Sequence, residues 1–276
     1  MGVRQVLAIA FVIGASALAQ SQPQMTLARV SGYLAPGEFD VTHVIEPAPR
    51  PGDPRYETDR EIFKQTRKLV GTPRYALATS DADLKPASML RNFSCSVGVQ
   101  LTPDNAPRTL AVIQRASADT GGQSGKAKDF YQRERPFVVD PGQKICQAPE
   151  ELFDKKINKE SYDYPSGHTT AGWTYALVLA SLAPDHAQAI LQRGRAYGES
   201  RFVCGAHNES AVEGGMLSAS ATMALVETKP AYQADLKAAK EELDGLRAKG
   251  GSAPTGCAEE SALIAQRVMP RLKNKP

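Results

Sequence analysis

The chain has 276 residues, with 33 basic against 30 acidic side chains for a formal net charge of +3, and 42% hydrophobic residues. So small and balanced a charge gives no argument for a nucleic-acid partner, while the apolar content is ample for one large core. Past the N-terminus the longest apolar stretch runs from Thr169 to Ala183. That is shorter than the roughly 18 residues a membrane span needs, so stable membrane insertion is not expected.

In chain order, Arg4 supplies a positive start, Val6 to Gly14 form a short apolar run, and Ala17-Leu18-Ala19 offers a small-residue cleavage site. This is the layout of a secretory signal peptide over residues 1–19, cleaved near Ala19, and it predicts a periplasmic or secreted protein. Residues 20–54 are rich in proline and glycine and read as an extended segment lying on the surface of a helical domain at 55–276. Helical periodicity then dominates. Helices are expected over Arg55–Val70, Pro86–Val97, Pro107–Ala118 and Gly125–Glu134, with Gly71-Thr72-Pro73 as a break. His168–Leu182 is apolar enough to be central, followed by Ala187–Val203, Asn208–Leu225 and the charged Tyr232–Ala248. Gly194 and Gly198 lie one turn apart, a spacing that lets another helix approach closely. Strand signals are scarce, so the expected fold is all-α, a multi-helix, bundle-like single domain.

Four cysteines, Cys95, Cys146, Cys204 and Cys257, lie far apart without a CxxC pair, and neither they nor the four histidines have zinc-ligand spacing. Export permits two disulfides in any of three connectivities, or one disulfide with two buried thiols.

Three stretches carry the chemistry. In the first, Lys128 and Arg135 are seven positions apart, close enough to two helical turns to share a face, and Pro136 biases Arg135 out of the helix. In the second, Pro165-Ser166-Gly167-His168 precedes the apolar helix. Ser166 is a natural N-cap, and the helix start is a ready anion site that Gly167 leaves open to close approach. In the third, Arg201 sits near the end of one helix, Gly205 breaks it, and His207 lies at the start of the next.

Taken together, the order Lys-x6-Arg-Pro, Pro-Ser-Gly-His and Ser-Arg-x5-His resembles the signature of the phosphatidic acid phosphatase type 2 superfamily. Within it, the likeness is to the soluble class A bacterial non-specific acid phosphatases. It extends to Tyr33-Leu34 with its proline-rich lead-in, to Lys126–Tyr131 and to Cys204-Gly205-Ala206-His207. The resemblance implies an acid phosphatase that hydrolyses small phosphate monoesters without metal or other cofactor. Lys128, Arg135, Ser166, Gly167 and Arg201 would hold the phosphate, His207 would be the nucleophile that becomes phosphohistidine, and His168 would protonate the leaving group. Guanidinium forks suit phosphate oxygens and stand in for a metal.

The family pattern continues His-x3-Asp, with the carboxylate holding the other ring nitrogen of the nucleophile, and this chain has Ala211 there. Ser210 is the better-placed substitute, since Glu209 and Glu213 project to other helix faces. The departure predicts impaired turnover. Its limit is a protein that binds phosphate or a phosphoester without hydrolysing it. Other readings of the same anion site are a vanadate-dependent haloperoxidase and hydrolysis of lipid phosphates. The sequence leaves a homo-oligomer open.

Overall fold

Proline opens helix after helix in this chain, because its missing N–H and fixed φ cost nothing in the first turn. It starts α1 (Pro54–Thr66), α2 (Pro73–Ser80), α3 (Pro86–Val97), α4 (Pro107–Tyr131) and the single turn α5 (Pro136–Val139). After a minimal antiparallel hairpin of β1 (Phe153–Asp154) and β2 (Lys159–Glu160) come α6 (Gly167–Leu182), α7 (Ala187–Cys204) and α8 (Glu209–Val226). The proline-started α9 (Pro230–Ala248) and then α10 (Cys257–Ala265) complete the order. The computed structural model describes residues 1–2, 30–250 and 252–271. Residues 3–19 of the expected signal sequence, and its cleavage near Ala19, lie outside them. The fold is all-α, as the sequence predicts.

Helix α6 is apolar on every side and sits at the centre, packed by α4, α7 and α8, as an all-round hydrophobic helix must be. Its closest partner is α7, and glycine sets the approach. A Cβ on Gly194 would lie 2.5 Å from Ala176 Cβ, and one on Gly198 would lie 2.9 Å from Thr169 Cγ2 and 3.1 Å from Val212 Cγ1. The expected close approach at this pair is therefore present.

The region expected as two helices, Pro107–Ala118 and Gly125–Glu134, is the single helix α4, which runs through Gly121 and Gly122. Two glycines cost a helix about 1 kcal/mol each, and packing of α4 on α6, α8 and α9 overrides that. The helix stops at Gln132, whose φ of 50° is left-handed. Lys128 and Arg135 therefore do not share a helix face. Arg135 lies beyond the helix in extended conformation (φ −74°, ψ 152°), as its place before proline requires. Three of the described helices were not expected: α2, which starts at the last residue of the expected break, the single turn α5, and α10.

The described part of the proline-rich segment lies along α4. Asp119 accepts from the backbone N–H groups of Tyr33 (2.7 Å) and Leu34 (3.2 Å), and Gln123 accepts from Val41 N–H (3.0 Å) and donates to the Phe39 carbonyl (2.9 Å). Val41, Ile45 and Ala48 are buried against Ala127, Tyr164 and Ala211. All four cysteines pair, Cys95 with Cys257 and Cys146 with Cys204.

Candidate active site

Each of the three motifs ends where a helix starts or stops, and the elements bring those ends together. At the start of α6, Ser166 is the N-cap: its hydroxyl accepts from Thr169 N–H (3.3 Å) and Thr169 Oγ1 (3.0 Å). Its own N–H donates to the Ala211 carbonyl at 2.8 Å, which docks the start of α8 on the start of α6. A Cβ on Gly167 would meet only Lys128 Cε at 3.8 Å and Ser124 Oγ at 3.9 Å, so the lysine stem passes beside the helix N-terminus. His168, in the first turn, places Nε2 3.1 Å from the Ala82 carbonyl. Since a carbonyl only accepts, Nε2 carries the hydrogen and Nδ1 is the nitrogen that titrates.

At the end of α7, Arg67 closes the helix by donating to the carbonyls of Phe202 (2.9 Å), Val203 (2.6 Å) and Cys204 (3.1 Å). Gly205, at φ 84°, takes the left-handed turn that reverses the chain. One turn before this end Arg201 is wholly buried, its Nη2 bonded to Gln147 Oε1 while Nε and Nη1 have no partner among the described residues. Buried, unmet guanidinium donors are costly and mark a place for an anion. The disulfide Cys146–Cys204 and the bond from Cys146 N–H to the Cys204 carbonyl (3.1 Å) hold the loop bearing Gln147 against this corner.

Arg135 reaches the same corner from the loop after α4. Its Nη1 donates to the Ala206 carbonyl (2.7 Å) and lies 3.0 Å from His207 Nε2, while Nε and Nη2 bond the carbonyl (2.5 Å) and hydroxyl (2.7 Å) of Ser161. A guanidinium has only donors, so His207 Nε2 presents its lone pair to Arg135 and Nδ1 carries the proton. That proton faces two acceptors of one residue, the Asp163 carbonyl (2.8 Å) and Asp163 Oδ1 (2.9 Å). Lys128 Nζ bonds the Tyr162 carbonyl and lies 3.4 Å from the Asp163 carbonyl. His207, Arg135, Arg201 and Ser166 are buried, whereas Lys128, Gly167 and His168 are half-buried.

Electrostatics follow from this crowding. Burial, then Arg135, Lys128 and Arg201, hold the His207 imidazole well below its ordinary range. Burial, then Arg201 and His207, do the same to His168. Burial also pushes Arg135 and Arg201 down to about 10 and the Lys128 ammonium well below its usual value. The corner therefore holds two neutral imidazoles among cations that repel one another, and a multiply charged tetrahedral anion would relieve that repulsion.

Ser210, expected as the substitute partner of His207, is elsewhere. Its hydroxyl donates to Asp59 Oδ2 (2.5 Å) and accepts from Arg133 Nη1 (2.7 Å). Ala211 is buried among apolar side chains. Glu209 and Glu213 project away, as expected, into a groove of about 550 Å³ also lined by Trp173, Phe202 and Leu217 and containing none of the five charged or imidazole residues above. The residues that sequence reasoning missed are Asp163, Arg133, Asp59 and Gln147. Only Asp163 carries a readable signal, as an acid two positions before the Pro-Ser-Gly-His motif.

The chain matches the family model described as PAP2 superfamily over residues 110–233. It is 41% identical over 203 residues to an acid phosphatase of Zymomonas mobilis, covering 74% of this chain and 75% of that protein. It is 35% identical over 201 residues to a non-specific acid phosphatase of Salmonella typhimurium (72% and 78% covered). A non-specific acid phosphatase of Providencia stuartii is 32% identical over 210 residues (76% and 83%).

Proposed function

Because the chain belongs to the PAP2 superfamily, we propose that it is a metal-independent phosphatase of phosphate monoesters that works through phosphohistidine on His207. The observation that carries this reading is the tautomer of His207. A buried neutral imidazole that turns a lone pair on Nε2 towards a cluster of cations is prepared to attack phosphorus.

Arg135 Nη1 faces that lone pair at 3.0 Å. A bound phosphate displaces the contact: the freed N–H turns to a phosphate oxygen, and Arg201 Nε and Nη1 acquire the acceptors they lack. Lys128 and the first N–H groups of α6, at Gly167 and His168, neutralise the remaining oxygens, with Ser166 holding that helix start in place. Phosphoryl transfer asks little more of a protein than such positioning and charge neutralisation. Nε2 forms a bond to phosphorus as the ester P–O bond breaks, and the leaving oxygen takes a proton from His168 Nδ1. Burial and its cationic neighbours hold the His168 imidazole low, so its proton arrives with the substrate: the phosphate charge raises the imidazole, or a monoanionic ester delivers the proton directly. Water then attacks phosphorus and loses a proton to His168, and the P–N bond breaks to release phosphate. The two disulfides fit an oxidising compartment, and we place the working enzyme in the periplasm or outside the cell.

The test is hydrolysis of p-nitrophenyl phosphate, with acid-sensitive labelled phosphate trapped on the protein during turnover. Hydrolysis is expected to survive a chelator, and His207→Ala is expected to abolish both turnover and labelling while still binding inorganic phosphate. Full activity in His207→Ala, or loss of wild-type activity on chelation, overturns the reading.

A further inference from the structure

We propose that Asp163 is the positioning carboxylate of His207, so that the negative charge absent from position 211 is supplied from the loop before α6. This rests on the reading of His207 as nucleophile. The resemblance calls for a carboxylate one helical turn past His207, and Ala211 stands there, packed against Tyr164, Ala127, Val41 and Ile45 with no polar side chain to offer. The nitrogen that such a carboxylate would hold is nevertheless occupied. His207 Nδ1 lies 2.9 Å from Asp163 Oδ1, and the Asp163 side chain is fully buried.

A buried carboxylate persists only where its oxygens are satisfied, and those of Asp163 are. Oδ1 also accepts from Asn208 N–H (3.1 Å), Oδ2 accepts from Asn208 Nδ2 (2.8 Å), and Arg133 Nη1 lies 3.6 Å from Oδ2. Arg133 is fixed in turn by Asp59, with Nη2 2.8 Å from Oδ2, and Asp163 N–H donates to the Arg133 carbonyl at 2.8 Å. The carboxylate thus has one orientation, set by the first residues beyond His207 and by a buried ion pair between α1 and the loop after α4.

The Asp163 carbonyl, 2.8 Å from the same nitrogen, is enough to select the tautomer. What the carboxylate adds is charge. As Nε2 bonds to phosphorus the ring becomes cationic among Lys128, Arg135 and Arg201, and among the described residues Asp163 is the acid in contact with it. The contribution is therefore to the transition state and the phosphohistidine, and to substrate binding hardly at all.

Asp163→Asn keeps the size and the carbonyl and removes the charge. Its kcat for p-nitrophenyl phosphate is expected to fall by about 10²–10⁴-fold, the upper figure being the loss when the orienting carboxylate of a serine-protease triad becomes an amide. KM and the inhibition constant of inorganic phosphate are expected within about threefold of wild type, which also reports an intact fold. Independently of turnover, ¹⁵N NMR is expected to show His207 protonating at lower pH in the variant, because a counter-charge is gone. An unchanged kcat and an unmoved His207 titration overturn the proposal while leaving the phosphatase reading intact. A wild-type chain without turnover, in which Asp163→Asn still moves the His207 titration, overturns the phosphatase reading and leaves the positioning contact standing.

Discussion

Arg201 concentrates the physics of the site in one side chain. It is buried, with two guanidinium nitrogens unpartnered, and its charge depresses His168, His207 and Lys128. Arg201→Ala is expected to raise the inhibition constant of inorganic phosphate roughly 10–100-fold, the worth of one or two charge-assisted hydrogen bonds at about 1.5–3 kcal/mol. The same variant carries a pH signature. The His207 imidazole, which must be neutral to attack, is held low, so the acid limb of kcat/KM in the wild type should lie below about 6.5, the ordinary histidine value. Removing a positive neighbour lets it rise, and the limb should move up towards that value. A pH–rate profile between about pH 4 and 8 checks both the sign and the position. Arg201→Lys should recover part of the charge effect and little of the affinity, since an ammonium lacks the planar fork.

At the scale of elements, the site is a meeting of helix ends, and its precision depends on how closely α6, α7 and α8 pack. Gly194→Ala would drive a methyl group to within 2.5 Å of Ala176 Cβ. The expected cost is about 1–3 kcal/mol, read as a lower midpoint in urea with an unchanged slope. These close contacts were legible in the sequence as glycines one turn apart, and the long apolar run announced α6. Lys128, Arg135, Ser166, Gly167, His168, Arg201 and His207 were picked out by the order and spacing of three motifs, each of which lies at a helix start or end. The continuity of α4 was not, since local glycine preference argues for a break that only tertiary packing overrules. Nor was the pairing of Asp163 with His207, although an acid beside Pro-Ser-Gly-His is visible in the sequence. The resemblance points to the next helical turn for a partner of His207, whereas the contact comes from 44 positions away. Asp59 and Arg133 carry no local sign of their role, because a charged residue on a charged helix reads as solvated surface.

Over the whole molecule, the two disulfides divide the labour. Cys146–Cys204 closes on the corner that holds Arg201 and His207, whereas Cys95–Cys257 ties α3 to α10 far along the chain. Beneath the second lies a buried network in which Arg193 meets Asp81 and Glu260, each at 2.5 Å. Replacing Cys95 and Cys257 together by serine is expected to cost about 2–4 kcal/mol, or roughly 4–16 °C in Tm, with kcat unchanged. The same change at Cys146 and Cys204 should lower kcat as well, because Gln147 and Arg201 lose their common anchor; calorimetry and steady-state kinetics on the two double variants separate the roles. The 162 positions that separate Cys257 from Cys95 have a further consequence for damaged messages. A product that stops between the two cysteines leaves Cys95 a lone thiol, open to oxidation in the compartment proposed above, and Arg193 without Glu260. Such a product is primed to cross-link with another copy, and truncation should announce itself as a covalent dimer on a non-reducing gel.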